Sequence, residues 1–197
     1  TAIYAMPRGA LRTDVIGWLR FGHAKRRPRA RGEDRRGRIP HMVSIHARPP
    51  EVEERLIPGH WEGDLIKGAQ NRSAVGTLVE RTALFTVLSR MDNASAEAAL
   101  SGFSHVLNRI EAQQRLSLTY DQGREMAAHH RLTDATGVKV YFADPHSPWQ
   151  RGINEHTNGL LRQYLPKGRD LSGFTQEELD AIAWKLNTRP RKSLGFK

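Results

Sequence analysis

Short runs of apolar residues, bounded by turn-forming residues, recur along most of the chain and are typical of β-strands. Four stretches predict five strands, because the second stretch reads as two β runs with a tight reversal near Glu80–Ala83. The stretches are HWEGDLIK (60–67), SAVGTLVERTALFTVLSRM (73–91), LSLTYD (116–121) and VKVYFAD (138–144). The first lies in GHWEGDLIKG (59–68), where the core is predicted to begin.

Helical spacing of apolar residues alternates with these strands after residue 91. Asp92, Asn93 or Ser95 can cap the first of these helices, and Gly137 and Pro190 are suited to end two others. A short helix is also predicted near the start of the chain. The predicted helices cover 10–20, 92–112, 124–137, 153–165 and 174–190.

From residue 57 the predicted order of elements is βββαβαβαα. A hairpin and a third strand followed by αβ crossovers predict an α/β fold, with a mixed five-stranded sheet and helices on both faces. Residues 39–59 are extended, punctuated by proline and without strong periodicity, so we expect a linker there. The predicted division is an N-terminal basic arm and linker over 1–56 and a core over 57–197.

Composition limits the classes of protein to consider. A chain of 197 residues, 38% hydrophobic and 26% charged, fits a soluble globular protein with one full domain and a smaller appendage. The absence of cysteine excludes disulfides, thiolate zinc sites and a cysteine nucleophile. No apolar run approaches the length of a membrane span and no signal peptide is recognised. We therefore expect no membrane partner and a cytoplasmic, nucleoid-associated location.

The positive charge is concentrated in the first quarter of the chain. Residues 1–50 hold 12 Lys and Arg against 3 Asp and Glu, whereas the remainder holds 19 against 18. The densest part is KRRPRARGEDRRGR (25–38), which cannot bury enough apolar surface to fold alone. Dense arginine binds the DNA backbone through counterion release, so we favour a phosphate-contacting arm over a solvated linker. Its candidate residues are Arg26, Arg27, Arg29 and Arg31.

Three acids have settings that suit a metal-dependent nuclease. Asp64 lies in the first strand-like run, Asp121 ends a later one, and Glu155 opens a helix after the SPWQRG loop. Carboxylate oxygens suit Mg²⁺ or Mn²⁺ rather than zinc. Two such ions need carboxylates from several elements meeting at one point. The plainer alternative is that a protein of this size has unrelated acids near its strands and helices.

The combined pattern is more specific than the acids alone. Four features occur together in this chain. They are the order Asp, Asp, Glu, the 33 residues between Asp121 and Glu155, the SPWQRG loop, and a basic residue seven positions after Glu155. On these features the chain resembles the DDE transposases, most closely the insertion-sequence-thirty family of bacteria. The matching stretches within residues 57–197 are GHWEGDLIKG, TYDQGREMAAH, TGVKVYFADPHSPWQRGINEHTNGLLRQYLPKG and LNTRPRKSLGFK.

The resemblance implies a ribonuclease-H-like integrase catalytic core with two ions, Mg²⁺ or Mn²⁺, at Asp64, Asp121 and Glu155. It implies cleavage of phosphodiesters at the ends of a mobile element, then attack of the freed 3′-hydroxyl on target DNA. The implied partners are element-end DNA, target DNA and further copies of the chain. Because no N-terminal helix-turn-helix region is recognised and the chain starts at Thr1, we expect a fragment of a longer family member.

Two rival functions remain beside this one. A non-catalytic DNA-binding remnant of a transposase is disfavoured by the three intact acids. A structure-specific nuclease on the same fold would cleave but never join strands. The match over KVYFADPHSPWQRGINEHTNG favours a transposase over that nuclease.

Further residues near the acids are candidates for DNA contact. Arg162 lies at i+7 from Glu155 on the same helix face and can grip a phosphate, or it is a surface arginine. Trp149 stacks on a base, wedges a strand or is a buried anchor, and Arg151 in the same loop is a further candidate. Asn154 and Asn158 are expected to contact DNA or to cap the helix. Glu62 is expected to support the site or to form a structural ion pair. His60 is expected to pack or to form a hydrogen bond.

Overall fold

The computed structural model describes residues 6–7, 9–17, 39–191 and 195. The chain separates into two compact units, residues 1–38 and residues 39–197. The described part of the first unit contains helix α1, Ala10–Gly17, within the helix predicted over 10–20. The four arginines of the predicted DNA-binding arm, Arg26, Arg27, Arg29 and Arg31, lie outside the described residues.

The second unit is built on one mixed five-stranded sheet, as the sequence predicts. The strands stand in the order β3-β2-β1-β4-β5, with β1 in the centre. The β1–β2 and β2–β3 pairs are antiparallel, and the β1–β4 and β4–β5 pairs are parallel. The strands are β1 His60–Lys67, β2 Ala74–Glu80, β3 Thr86–Met91, β4 Ser117–Tyr120 and β5 Lys139–Phe142.

The helices of the second unit are α2 Glu51–Glu54, α3 Ala96–Leu107, α4 His129–Thr136, α5 Gly152–Leu161 and α6 Gln176–Asn187. The sequence does not predict α2, and the other helices follow the predicted order. From β1 onward the element order is βββαβαβαα, which confirms the prediction. The prediction of one helix over 124–137 is wrong in part, because a separate 3₁₀ turn precedes α4. Helix α5 ends before the predicted residue 165, since the backbone tightens into 3₁₀-type bonds there, such as Tyr164 N to Leu161 O at 2.9 Å.

Two apolar cores lie on opposite faces of the sheet, which confirms the prediction of helices on both faces. On one face Leu65 and Leu118 pack with Phe103 of α3 and Leu132 of α4. On the other face the sheet packs against α5 and α6. That core contains Ile66, Val75, Leu88, Leu161, Leu179 and Leu186. Because side chains alternate along a strand, Glu62 and Asp64 share the face of Ile66 and point toward the layer of α5.

Residues 39–56 pack against the core rather than forming the extended linker that the sequence predicts. Ile39, Ile45 and Val52 are buried, and Ser44 forms a β-bridge with Phe142 of β5. The segment forms one 3₁₀ turn and α2, because its widely spaced apolar side chains pack against the core. The division of the chain at residue 56 stays a prediction. Among the residues described, none of the helices has the length and apolar character required to cross a bilayer.

Candidate active site

The pairing of two neighbouring parallel strands brings Asp64 and Asp121 to the same level of the sheet. Glu62 of β1 lies opposite Thr119 of β4. Asp64 is two residues beyond Glu62, and Asp121 is two residues beyond Thr119 and follows directly on the end of β4. The sequence prediction that these two acids meet is therefore consistent with the strand register.

The guanidinium of Arg151 lies between the two carboxylates. Its Nη1 is 3.7 Å from Asp64 Oδ2, and its Nη2 donates to Asp121 Oδ2 at 3.2 Å. Nη1 also donates to the carbonyl oxygen of Gly63 at 3.1 Å, and the arginine is buried. The two acids are thus close enough to share one cation, and Arg151 comes from the SPWQRG loop that precedes α5.

The surroundings of Asp64 favour a positively charged neighbour. Burial raises the pKa of its carboxyl, Arg151 and the Leu65 backbone N–H oppose that rise, and the charges of Asp121 and Glu125 add to it. Its oxygens accept from Leu65 N at 2.8 Å and from Asn158 Nδ2 at 3.0 Å. A buried carboxylate with a raised pKa gains when a cation compensates its charge.

The loop after β4 brings a further acid near the pair. Gly123 N donates to Asp121 Oδ1 at 2.9 Å. A Cβ at Gly123 would lie only 2.6 Å from Glu125 Oε1 and 2.8 Å from Asp121 Oδ1, so a larger residue here would displace these carboxylates. Glu125 is buried, and its Oε1 lies 3.7 Å from Lys67 Nζ. Sequence reasoning missed Glu125, although its position four residues after Asp121 was an available signal.

Glu155 is exposed in the first turn of α5. It lies one turn after Arg151 and one turn before Asn158, the two residues of this region that contact Asp64. Across the ranges that the structure describes, no three acidic or histidine side chains stand close enough together to hold an ion. The structure therefore brings Asp64 and Asp121 together, and the participation of Glu155 stays a prediction.

The candidates for DNA contact have different surroundings. Trp149 is 74% exposed, so its interpretation as a buried anchor is wrong. Arg162 Nη1 donates to the carbonyl oxygen of Leu165 at 3.3 Å. Asn158 donates to Asp64, so it belongs to the acid site. The prediction that His60 hydrogen-bonds is confirmed, because its Nδ1 lies 2.7 Å from Ser117 Oγ.

Glu62 forms the structural ion pair that the sequence left open, and it also contacts α5. Its Oε1 accepts from Arg81 Nη1 at 2.6 Å, and its Oε2 accepts from the backbone N of Asn154 at 2.9 Å. Burial raises the pKa of Glu62, which the Asn154 bond and the charge of Arg81 oppose. Asn154 is fully buried, so it is not placed to touch DNA. The local sequence carries no signal for these contacts, because the partners come from distant parts of the chain.

Known proteins share both the sequence and the fold of this chain. The family model of the integrase core domain matches residues 56–148. A transposase for insertion sequence element IS1086 of Cupriavidus metallidurans is 65% identical over 99% of this chain and 58% of its own length. Transposase InsI for insertion sequence element IS30A of Escherichia coli is 43% identical over 99% of this chain and 51% of its own length. The chain therefore spans less than two thirds of these relatives.

A solved structure shares the fold at low identity. It is the HTLV-2 integrase catalytic core domain in complex with magnesium, in a trimeric form. The TM-score is 0.51 at 18% identity, with 72% of this chain and 95% of that chain covered. This likeness supports the ribonuclease-H-like sheet, and the two transposases support a closer relationship through almost every residue of the chain. The chain is similar to these insertion-sequence transposases along almost all of its length, and its residues 56–148 match the integrase core domain.

Proposed function

We propose that this chain is the catalytic region of a DNA transposase. It acts as a polynucleotidyl transferase that cleaves phosphodiesters at the ends of its element and transfers the freed 3′-hydroxyl into target DNA. The observation that carries the proposal is the convergence of Asp64 and Asp121 around the guanidinium of Arg151. Sequence similarity supports the reaction type, because the relatives at 65% and 43% identity are transposases.

The donor set fits Mg²⁺ or Mn²⁺. Asp64 and Asp121 offer carboxylate oxygens at one point, and burial raises the pKa of Asp64, so a cation that compensates its charge is favourable there. We propose that these two acids and Glu155 hold two ions. When bound, two such ions activate the attacking oxygen and stabilise the leaving 3′-oxygen.

The chain's own residues orient the acids and receive the DNA. Leu65 N and Asn158 Nδ2 each donate to one oxygen of Asp64, which fixes the plane of its carboxylate. Two carboxylates repel a phosphodiester, and the positive charge of Arg151 between them reduces that repulsion. Its fork of N–H donors also suits a phosphate oxygen.

DNA contacts extend beyond the acids in this proposal. The exposed ring of Trp149 stacks on a base near the cleaved strand, and Arg162, at the C-cap of α5, contacts a phosphate. The arginines of the N-terminal arm add phosphate contacts that carry no base information. We further propose that several copies assemble on DNA, since the two ends of an element must be processed together, and that the protein acts at the bacterial nucleoid.

The test is a cleavage and joining assay with the DNA ends of the insertion element that encodes this chain. With Mg²⁺ or Mn²⁺ we expect cleavage at the element ends and joined products, identified by sequencing. Ca²⁺ should permit DNA binding without turnover, because the acids suit the tight octahedral geometry of Mg²⁺. Binding without cleavage would support the non-catalytic remnant, and cleavage without joining would support the nuclease. Undiminished cleavage in EDTA would exclude the metal mechanism.

A further inference from the structure

We propose that Glu62, Arg81 and Asn154 are positioning residues that cap the first turn of α5 from the sheet. Glu155 lies in that turn, and Asp64 lies on the same strand as Glu62. The network would therefore set the relative placement of the two acids. The inference rests on the proposed function, because it assigns these residues to the order of the catalytic acids.

Helix α5 starts differently from two other helices of the unit. Ser95 caps α3 through its side chain, and Thr175 and Glu178 form a capping box at α6. Within the described residues, the start of α5 has Arg151 at the N-cap position and no side-chain capping bond from it. The first N–H groups of a helix need acceptors from elsewhere when the local cap is missing.

The missing acceptor comes from the central strand. Glu62 Oε2 accepts from the backbone N of Asn154 at 2.9 Å, the third residue of α5. This is the N–H that a local N-cap side chain normally satisfies. A carboxylate is also favourable there because the N-terminus of a helix carries partial positive charge. The first turn of α5 thus gains a cap by docking on β1.

The side chain of Asn154 fixes how that turn docks. It is completely buried between two strands. Its Nδ2 donates to Glu62 O at 2.8 Å, and its Oδ1 accepts from Thr77 Oγ1 at 3.3 Å. These bonds set the height and rotation of the turn, so the direction of the next residue, Glu155, is set with them.

Arg81 holds the capping carboxylate in place. Its Nη1 donates to Glu62 Oε1 at 2.6 Å, which leaves Oε2 directed at the helix. Its Nη2 donates to Glu53 Oε2 at 3.3 Å. Both members of the central pair are buried, so the carboxylate has little freedom to rotate. Since Glu62 and Asp64 are two residues apart on one strand, the cap attaches the first turn of α5 to the strand that carries Asp64.

The experiment compares four variants with the parent chain. Glu62→Ala removes the capping acceptor, Asn154→Ala removes the side-chain bonds that dock the turn on the strands, and Glu62→Gln keeps an oxygen that can accept the Asn154 N–H. Ser117→Ala is the matched control, because it removes a buried hydrogen bond between β4 and His60 of β1 without touching α5. Each protein is measured by hydrogen exchange of residues 152–156, Mn²⁺ affinity, and the cleavage rate at saturating DNA.

We expect both alanine variants to accelerate exchange in the first turn of α5 about 10-fold, because Glu62→Ala removes a bond to a charged group and Asn154→Ala removes buried side-chain bonds to the strands. Mn²⁺ affinity and the cleavage rate should fall about 10- to 100-fold, which is typical for residues that orient metal ligands. The KM for DNA should stay unchanged. Glu62→Gln should recover most of each loss. Ser117→Ala should lower the melting temperature and leave exchange and Mn²⁺ affinity at their parental values.

The inference is overturned if Glu62→Ala and Asn154→Ala affect exchange and Mn²⁺ affinity no more than Ser117→Ala does. If Glu62→Ala fails to fold, Asn154→Ala carries the test, because it keeps the ion pair of Glu62 with Arg81. If the parent itself cleaves no DNA, the proposed function fails. Exchange at residues 152–156, measured without metal or DNA, then still supports or overturns the cap.

Discussion

Glu62 and Asp64 are two acids on one face of the same strand, and their surroundings differ. Glu62 is 1% exposed, with one oxygen on Arg81 at 2.6 Å and the other on the Asn154 N–H at 2.9 Å. The side chain of Asp64 is 25% exposed, and the guanidinium of Arg151 lies 3.7 Å from it. Burial raises the pKa of both carboxyls, but only Glu62 has a cation at hydrogen-bond distance.

Glu62 is thus an acid that stabilises the structure, whereas Asp64 is an acid that remains accessible for a reaction. An ionised carboxylate that is buried and paired with a cation at hydrogen-bond distance has little capacity for a metal ion. A carboxylate at the edge of the core, next to a second acid, can exchange a neighbour for an incoming ion. The two acids are only two positions apart on one strand, and this distance is enough to separate a buried, paired carboxylate from an accessible one.

The largest effect should come from the open acids. Asp64→Asn, Asp121→Asn and Glu155→Gln should each lower strand cleavage and transfer about 1000-fold, since several kcal/mol of charge stabilisation depend on each acid. The fold and the DNA affinity should stay nearly unchanged. Single-turnover assays and thermal melts on each variant check this. Full activity in any one variant would remove that residue from the metal site.

The buried acid should show the opposite response. Glu62→Ala should lower the free energy of unfolding by about 3–5 kcal/mol, because it leaves Arg81 buried without its main partner. The partly exposed site of Asp64 should tolerate Asp64→Asn with a change of about 1 kcal/mol or less, because its cation neighbour lies beyond hydrogen-bond distance. Urea titrations of both variants measure the difference. Equal destabilisation by Glu62→Ala and Asp64→Asn would contradict the difference inferred between the two acids.

Variants of Arg162 test whether DNA contacts extend from the acids to the end of α5. Arg162→Ala should lower strand transfer roughly 10-fold, as for the removal of one hydrogen bond to a charged group, and leave Mn²⁺ affinity intact. Arg162→Lys should recover part of the loss, because the charge returns without the bidentate fork. Transfer by Arg162→Ala at the parental rate would make it a surface residue that caps Leu165.

The smallest effect per residue should come from the N-terminal arm. Replacing Arg26, Arg27, Arg29 and Arg31 by Ala should weaken binding to unrelated DNA sequences equally. The slope of log affinity against log salt should flatten by about 0.9 for each phosphate of duplex DNA that an arginine no longer neutralises. An unchanged slope would return this segment to the solvated-linker interpretation and confine DNA contact to the acid region.

The element order was predictable from the sequence because its signals are local. Strand-like runs and helical spacing indicated nine elements from β1 to α6 in their observed order. Helix ends were less predictable. The end of α5 depends on how Leu161 and Leu165 pack in the core, and that packing is set by neighbouring elements. Residues 39–56 show the same limit, since their burial depends on a surface formed by β5 and its surroundings.

The sequence by itself determined the fold class, the similarity to insertion-sequence transposases, the placement of Asp64 and Asp121 at the sheet and the concentration of positive charge in residues 1–50. Periodicity, motif spacing and charge are all properties of short stretches, so no three-dimensional information is needed to find them. Only the tertiary structure decided that Arg151 lies between the acids and that Glu62 caps α5. The second contact joins residues 92 positions apart, and only folding sets the direction from which such partners approach.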